Sequence, residues 1–88
     1  MRLLSVSSVE QRLAHVLLKL GDKLGQQDDV GMLIQMPLLR GDLAELTGTT
    51  TETTSRLMSQ FQKEGLIQTG RQWTAITNKP GLVALSKG

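Results

Sequence analysis

The side chains with chemistry to offer are few, and their spacing argues against catalysis. His15 is the only histidine and cysteine is absent, so thiol nucleophiles, thiolate zinc sites, iron–sulfur ligation and disulfides are excluded within this segment. The carboxylates are scattered, with no paired general acid and base, no metal-ligand spacing and no glycine-rich phosphate loop. No catalytic residue, metal ligand or cofactor is expected here, and His15 reads most simply as a partly exposed helix residue. What remains is a polar stretch in which Thr47, Thr49 to Thr51, Thr53 and Thr54 surround Glu52 and lead to Ser55, Arg56, Ser59 and Lys63. Glu52 and Arg56 stand four residues apart, one turn of a helix. A guanidinium fork matches the guanine edge and a carboxylate accepts from the cytosine amino group, so groove chemistry favours such a pair for reading DNA bases. The same pair also reads as a helix cap with an i+4 salt bridge, worth roughly a few tenths of a kcal/mol, and the two readings are compatible.

Composition narrows the partner. Eighty-eight residues hold one small domain whose core is self-sufficient only just. Aliphatic runs such as Val16-Leu17-Leu18 are far short of the ~20 residues that span a bilayer, and no signal-peptide core opens the chain; the expected setting is the cytoplasm, with no membrane partner. Ten basic against eight acidic side chains leave only +2 overall, yet residues 1–35 balance while residues 54–88 carry five basic groups against Glu64 alone. Phe61 and Trp73 are the only aromatic residues, too few for the stacking platforms that bind single strands or RNA. Duplex DNA is the nucleic acid this composition suits. The competing reading is a module for protein interaction or assembly, motivated by the small net charge.

The elements that must carry these residues follow from periodicity. Ser7 and Glu10 form a capping box, and Val9, Leu13, Val16, Leu17, Leu20 and Leu24 make one helical stripe ending near Gly25. Leu18 falls on the opposite face, an ordinary exposed leucine or a contact to a neighbouring domain or protomer. Residues 25–31 read as a polar loop and Met32 to Met36 as a strand stopped by Pro37. A short helix over about Arg40 to Leu46, with Leu43, Ala44 and Leu46 available to pack, breaks at Gly48. Thr49 and Thr50 both qualify as N-cap of a third helix, Thr49 forming a capping box with Glu52. Thr54, Leu57, Met58 and Phe61 then face inward, and Glu52, Ser55, Arg56, Ser59 and Lys63 outward. Gly65 suits a left-handed helix end. Leu66 to Thr69 and Trp73 to Thr77 make a hairpin across Gly70-Arg71-Gln72, with a small helix after Pro80.

Two helices joined through a glycine turn, the second capped and followed by a hairpin, make a winged helix-turn-helix, a mostly α fold with a small β wing. Ala44 lets the helices cross closely and Gly48 takes the turn without a Cβ penalty. The stretches Val9-Glu10-Gln11-Arg12-Leu13-Ala14, Asp42-Leu43-Ala44 with Gly48, Thr51-Glu52-Thr53-Thr54-Ser55-Arg56-Leu57 and Phe61-Gln62-Lys63-Glu64-Gly65-Leu66-Ile67 resemble the C-terminal DNA-binding domain of the Crp/Fnr family of bacterial transcription regulators, in that family's order and spacing.

The resemblance implies a sequence-specific, double-stranded-DNA-binding domain with a recognition helix over about 50–64 in the major groove. It implies that Glu52 accepts from cytosine, that Arg56 donates to guanine, and that Ser55 is the residue of the Fnr-like branch, associated with TTGA-type half-sites. The Crp branch carries an arginine at the position of Thr51, so a TGTGA-type site is disfavoured. Phosphate contacts are implied for Arg40, Thr50, Thr51, Thr53 and Arg71, although Thr50 also reads as a plain cap and Arg71 as a solvated turn residue. The family's sensor barrel and dimerisation helix have no counterpart in this sequence, which looks like one domain of a longer regulator that dimerises through its N-terminal region. The resemblance also puts the loop from Gln26 to Val30 where family activators touch RNA polymerase, although that stretch reads more simply as an ordinary solvated loop. Two departures stand out: Leu39 replaces a common threonine before the first motif helix, and Thr54 occupies a usually aliphatic inward position.

Overall fold

The computed structural model describes residues 8–27, 29 and 31–87. Four helices and four short strands follow in the order α1 (Val9–Leu24), β1 (Gly25–Gln27), β2 (Met32–Ile34), α2 (Arg40–Thr47), α3 (Thr51–Lys63), β3 (Ile67–Thr69), β4 (Thr74–Ile76) and α4 (Lys79–Lys87). The expected mostly α winged helix-turn-helix is what forms. The cap of α1 is Ser8, whose hydroxyl accepts from the Gln11 amide at 3.1 Å; the predicted box partner Ser7 lies outside the described residues. The box expected between Ser7 and Glu10 therefore lies outside what is described, and the Glu10 carboxylate accepts from Gln60, 50 positions away.

Helix α1 is the spine. It packs most extensively on α4 and also on α2 and the sheet, so the covered arc is wider than one stripe. Leu18, placed by periodicity on the far face, is consequently half-buried against the core, while Leu24 is 47% exposed. Leu24 stands about 60° around the helix from Val9, inside the arc that Leu17 at about 80° still buries, so its exposure follows from its place as the last residue of α1 and not from its angle.

The sheet is wholly antiparallel, in the order β1-β2-β4-β3. Residues 25–27, expected as loop, form an edge strand pairing Gly25 with Ile34 and Gln27 with Met32. Gly-Gln-Gln carries no apolar alternation to announce a strand, and only backbone pairing makes it one. β2 ends at Ile34, two residues short of the expected Met36. The helix after the hairpin is longer than expected: Asn78 Oδ1 accepts from the Gly81 amide at 3.1 Å, and Pro80 falls in the first turn, where its missing N–H costs nothing. That helix sends the fully buried Leu82 into the core.

That core joins Leu13, Ala14 and Leu17 of α1, Leu43 of α2, Leu57, Met58 and Phe61 of α3, Leu66, Ile67, Ile76 and Leu82. Thr54 is buried beside them and its hydroxyl donates to the Thr50 carbonyl at 3.0 Å. The same carbonyl accepts from the Thr54 amide, also at 3.0 Å. Thr54→Val therefore removes a hydroxyl without orphaning its acceptor. Stability in thermal melting should hold or rise, changing by no more than about 1 kcal/mol; a larger loss would show that this hydroxyl is required.

Candidate nucleic-acid interface

The interface is built by the turn that ends α2 and starts α3. Gly48 takes a left-handed conformation, φ 71°, which a side chain would strain. The amide of Thr49 reaches back to the Ala44 carbonyl at 2.9 Å and that of Gly48 to Glu45 at 3.3 Å, the Schellman closure that satisfies the helix's terminal carbonyls. Thr47 stays buried by donating its hydroxyl to the Leu43 carbonyl at 2.7 Å. Ala44 is buried as expected, but Leu46 is not available to pack: it points outward and is 63% exposed.

Thr50, not Thr49, caps α3. Its hydroxyl accepts from the Thr53 amide at 3.1 Å and donates to the Thr53 hydroxyl at 3.0 Å. Glu52 therefore sits one position too early to close a capping box, and its carboxylate is left to face outward. Thr54, Leu57, Met58 and Phe61 are buried as periodicity predicted, and Glu52, Arg56, Ser59 and Lys63 are exposed, with Ser55 at the boundary. Among the described residues no ion pair joins Glu52 to Arg56. The i+4 salt-bridge alternative is thus not formed, and both charged ends face outward. Thr50, Glu52, Thr53 and Arg56 line one shallow depression, so the structure brings four of the predicted residues together. Thr51 is exposed at the start of the helix, whose first amides have no intrahelical partner and whose dipole favours anions.

Arg40 and Arg71 lie apart from this cluster in sequence. Arg40 opens α2, half-buried, and one guanidinium nitrogen donates to the Leu38 carbonyl at 3.4 Å. Arg71 is exposed at the tip of the hairpin formed by β3 and β4, where the Gly70 amide closes the turn on the Trp73 carbonyl at 2.9 Å. A Cβ on Gly70 would collide with the Trp73 indole, so the ring lies directly over the turn that presents Arg71 and Gln72. Sequence reasoning did not single out Gln60 and Gln62, which join Arg56, Ser59 and Lys63 around a second depression along α3. No local pattern marks a glutamine whose partner is remote in sequence.

The model of the Crp-like helix-turn-helix domain matches residues 11–85. The chain belongs to that family. The fumarate and nitrate reduction regulatory proteins of Salmonella typhimurium and Escherichia coli K12 are 33% and 32% identical over 84 residues, 96% of this chain and 34% of theirs. Electron transport regulator A of Shewanella oneidensis is 34% identical over 76 residues, 86% of this chain and 30% of its own length. The chain thus spans about a third of the length of these curated relatives. Among solved structures, a CRP-family transcriptional regulator from Thermus thermophilus superposes with a TM-score of 0.82 at 23% identity, over 94% of this chain and 42% of its own. The CO-dependent transcription factor CooA from Carboxydothermus hydrogenoformans superposes equally well, 0.82 at 24% identity, over 90% of this chain and 37% of its own. These likenesses establish the shared fold. The Crp-like domain described above is a DNA-binding domain of the transcription-regulator type.

Its α2 departs from a well-capped helix. Leu39 occupies the N-cap in extended conformation with no side-chain cap bond and 59% of its surface exposed. Leu39→Thr supplies the missing acceptor and loses only an exposed apolar side chain, so denaturant unfolding should show a gain of about 1 kcal/mol. An unchanged midpoint would mean that the first amides of α2 already have partners.

Proposed function

We propose that this Crp-like domain reads double-stranded DNA in a sequence-specific manner, with α3 in the major groove, as the DNA-binding end of a longer bacterial regulator that acts as a dimer. The observation that carries this reading is the placement of Glu52 and Arg56: exposed, one turn apart on the outward face of a capped helix, and not spent on each other. Glu52 accepts from a cytosine amino group, Arg56 forks onto guanine, and Ser55 between them completes a TTGA-type preference. Thr50, Thr51 and Thr53, with the amides of the α3 N-terminus, hold one phosphate run, while Arg40 and the wing's Arg71 hold the flanks. For Arg40, leaving its 3.4 Å contact with Leu38 costs little, since so long a bond is weak.

The role is one of binding, without catalysis and with no cofactor in this segment. Double-stranded DNA is the partner, a second copy is engaged through the N-terminal region of the longer regulator, and the cytoplasm is the setting. No helix among the described residues is long and apolar enough to cross a membrane. The segment from Gln26 to Val30 is the proposed contact to RNA polymerase in activation. Gln26 and Gln27 lie exposed on β1 and Asp29 is exposed beyond them, while Asp28 and Val30 lie outside the described residues.

Arg56→Ala and Glu52→Ala should each lose about 1–3 kcal/mol on a duplex carrying the preferred half-site. Glu52→Ala should leave binding to scrambled duplex nearly unchanged. Equal losses on both duplexes would remove the base-reading role.

Arg71→Ala should weaken binding to every duplex alike and lower the slope of log affinity against log salt by roughly one unit. A salt titration with an unaltered slope would return Arg71 to the solvent. A binding curve nearly indifferent to salt for the parent chain would favour a protein partner over DNA.

A further inference from the structure

Three consecutive residues in the first turn of α1 each bond a different helix. The Glu10 carboxylate accepts from Gln60 Nε2 on α3 at 3.1 Å. The Gln11 side-chain amide donates to the Ser86 carbonyl of α4 at 3.2 Å, and Arg12 Nε donates to the Thr47 carbonyl of α2 at 2.8 Å. That last acceptor is one of the two carbonyls, of Leu46 and Thr47, that the Schellman closure leaves over, at the lip of the turn that launches α3. The first turn of α1 therefore grips α3 from both sides, through the turn before it and through its C-terminal half.

Gln60 sits one turn beyond Arg56, half-buried at the edge between the inward and outward faces of α3, and its amide is also 3.5 Å from Glu64. A bond at that edge resists rotation of the helix about its own axis. At an outer helix radius of about 6 Å, a roll of about 10° moves a side-chain tip by about 1 Å, enough to spoil a hydrogen bond.

Resting on the reading of α3 as the base-reading helix, we infer that Gln60, anchored by Glu10, is a positioning residue that sets the roll of α3 and hence the discrimination between DNA sites. The Gln60 amide is spent on Glu10 and Glu64, so the part assigned to it is to position and not to contact a base.

The test compares the affinity ratio for half-site over scrambled duplex with the melting temperature, in Gln60→Ala, Glu10→Ala, their double variant and Gln60→Arg, with Arg56→Ala as reference. The two single alanine variants should each lower the ratio roughly three- to tenfold at near-parental melting temperature, and the double variant no further than either single one. Gln60→Arg, which donates to Glu10 and Glu64 together with charge assistance, should restore the ratio. If Arg56→Ala lowers the ratio but Gln60→Ala does not, the positioning role is overturned and base reading stands. A ratio that falls only in step with the melting temperature, or that Gln60→Arg fails to restore, overturns it as well. If Arg56→Ala leaves discrimination intact, the base-reading helix fails and the positioning role falls with it.

Discussion

Between Thr47 and Thr50 the chain must close one helix, turn, and open another within a few residues, and it must do so without burying a polar group unpaired. The constraint is met by a division of labour. Gly48 supplies the left-handed conformation, Thr49 sends its amide back to Ala44, Thr47 takes care of its own hydroxyl inside the core, and Thr50 turns outward to cap α3. The direction of α3 is set by this turn. Once α3 buries Leu57, Met58 and Phe61, the helical period leaves Glu52 and Arg56 nowhere to point but outward. Gly65, φ 75°, closes the far end of α3 in the same way, the Leu66 amide reaching Phe61 at 2.9 Å, and the wing begins from a fixed point.

The wing is held in turn by parts of the chain far from it in sequence. β4 pairs with β3 on one side and with β2 on the other, so the hairpin that carries Arg71 is joined to the hairpin that follows α1. A two-stranded hairpin alone is marginal in water. Here it belongs to a four-stranded sheet in which β4, one of the two inner strands, is buried at every residue, and its turn is covered by the Trp73 indole.

What the sequence could show and what it could not divide along a physical line. The glycines that end α1, α2 and α3 and the inward face of α3 depend on residues a few positions apart, and each is where the spacing placed it. Thr50 against Thr49 as cap, and Ser8 against Ser7, turn on a single residue, because adjacent hydroxyls offer the amides equivalent acceptors. β1 escaped notice because its pairing is a property of backbone beside β2, not of Gly-Gln-Gln itself. Leu18 and Leu46 were misplaced for one reason in opposite senses: burial depends on which neighbours arrive, and Leu18 joins the core where α1 packs on α4 while Leu46 is left 63% exposed. The bond from Glu10 to Gln60 is long-range in the same sense.

Stability and recognition are separated in this design. α2 has eight residues and each strand three, lengths at which neither persists by itself in water. They exist because α1 and α3 bury them together, so a change at Gly48 or Phe61 disturbs every element at once. Glu52, Ser55 and Arg56, by contrast, contribute nothing to the core, and Glu52 and Arg56 share no ion pair whose loss would be felt. Exposed substitutions of that kind usually shift stability by less than about 0.5 kcal/mol, while a matched base contact is worth about 1–3 kcal/mol of discrimination. On the proposed reading, the bases recognised can therefore change by substitution on the outward face of α3 with the fold intact. The direction of α3 is set elsewhere, by the turn before it, by its packing on α2 and β3 and by the bonds it and that turn receive from α1.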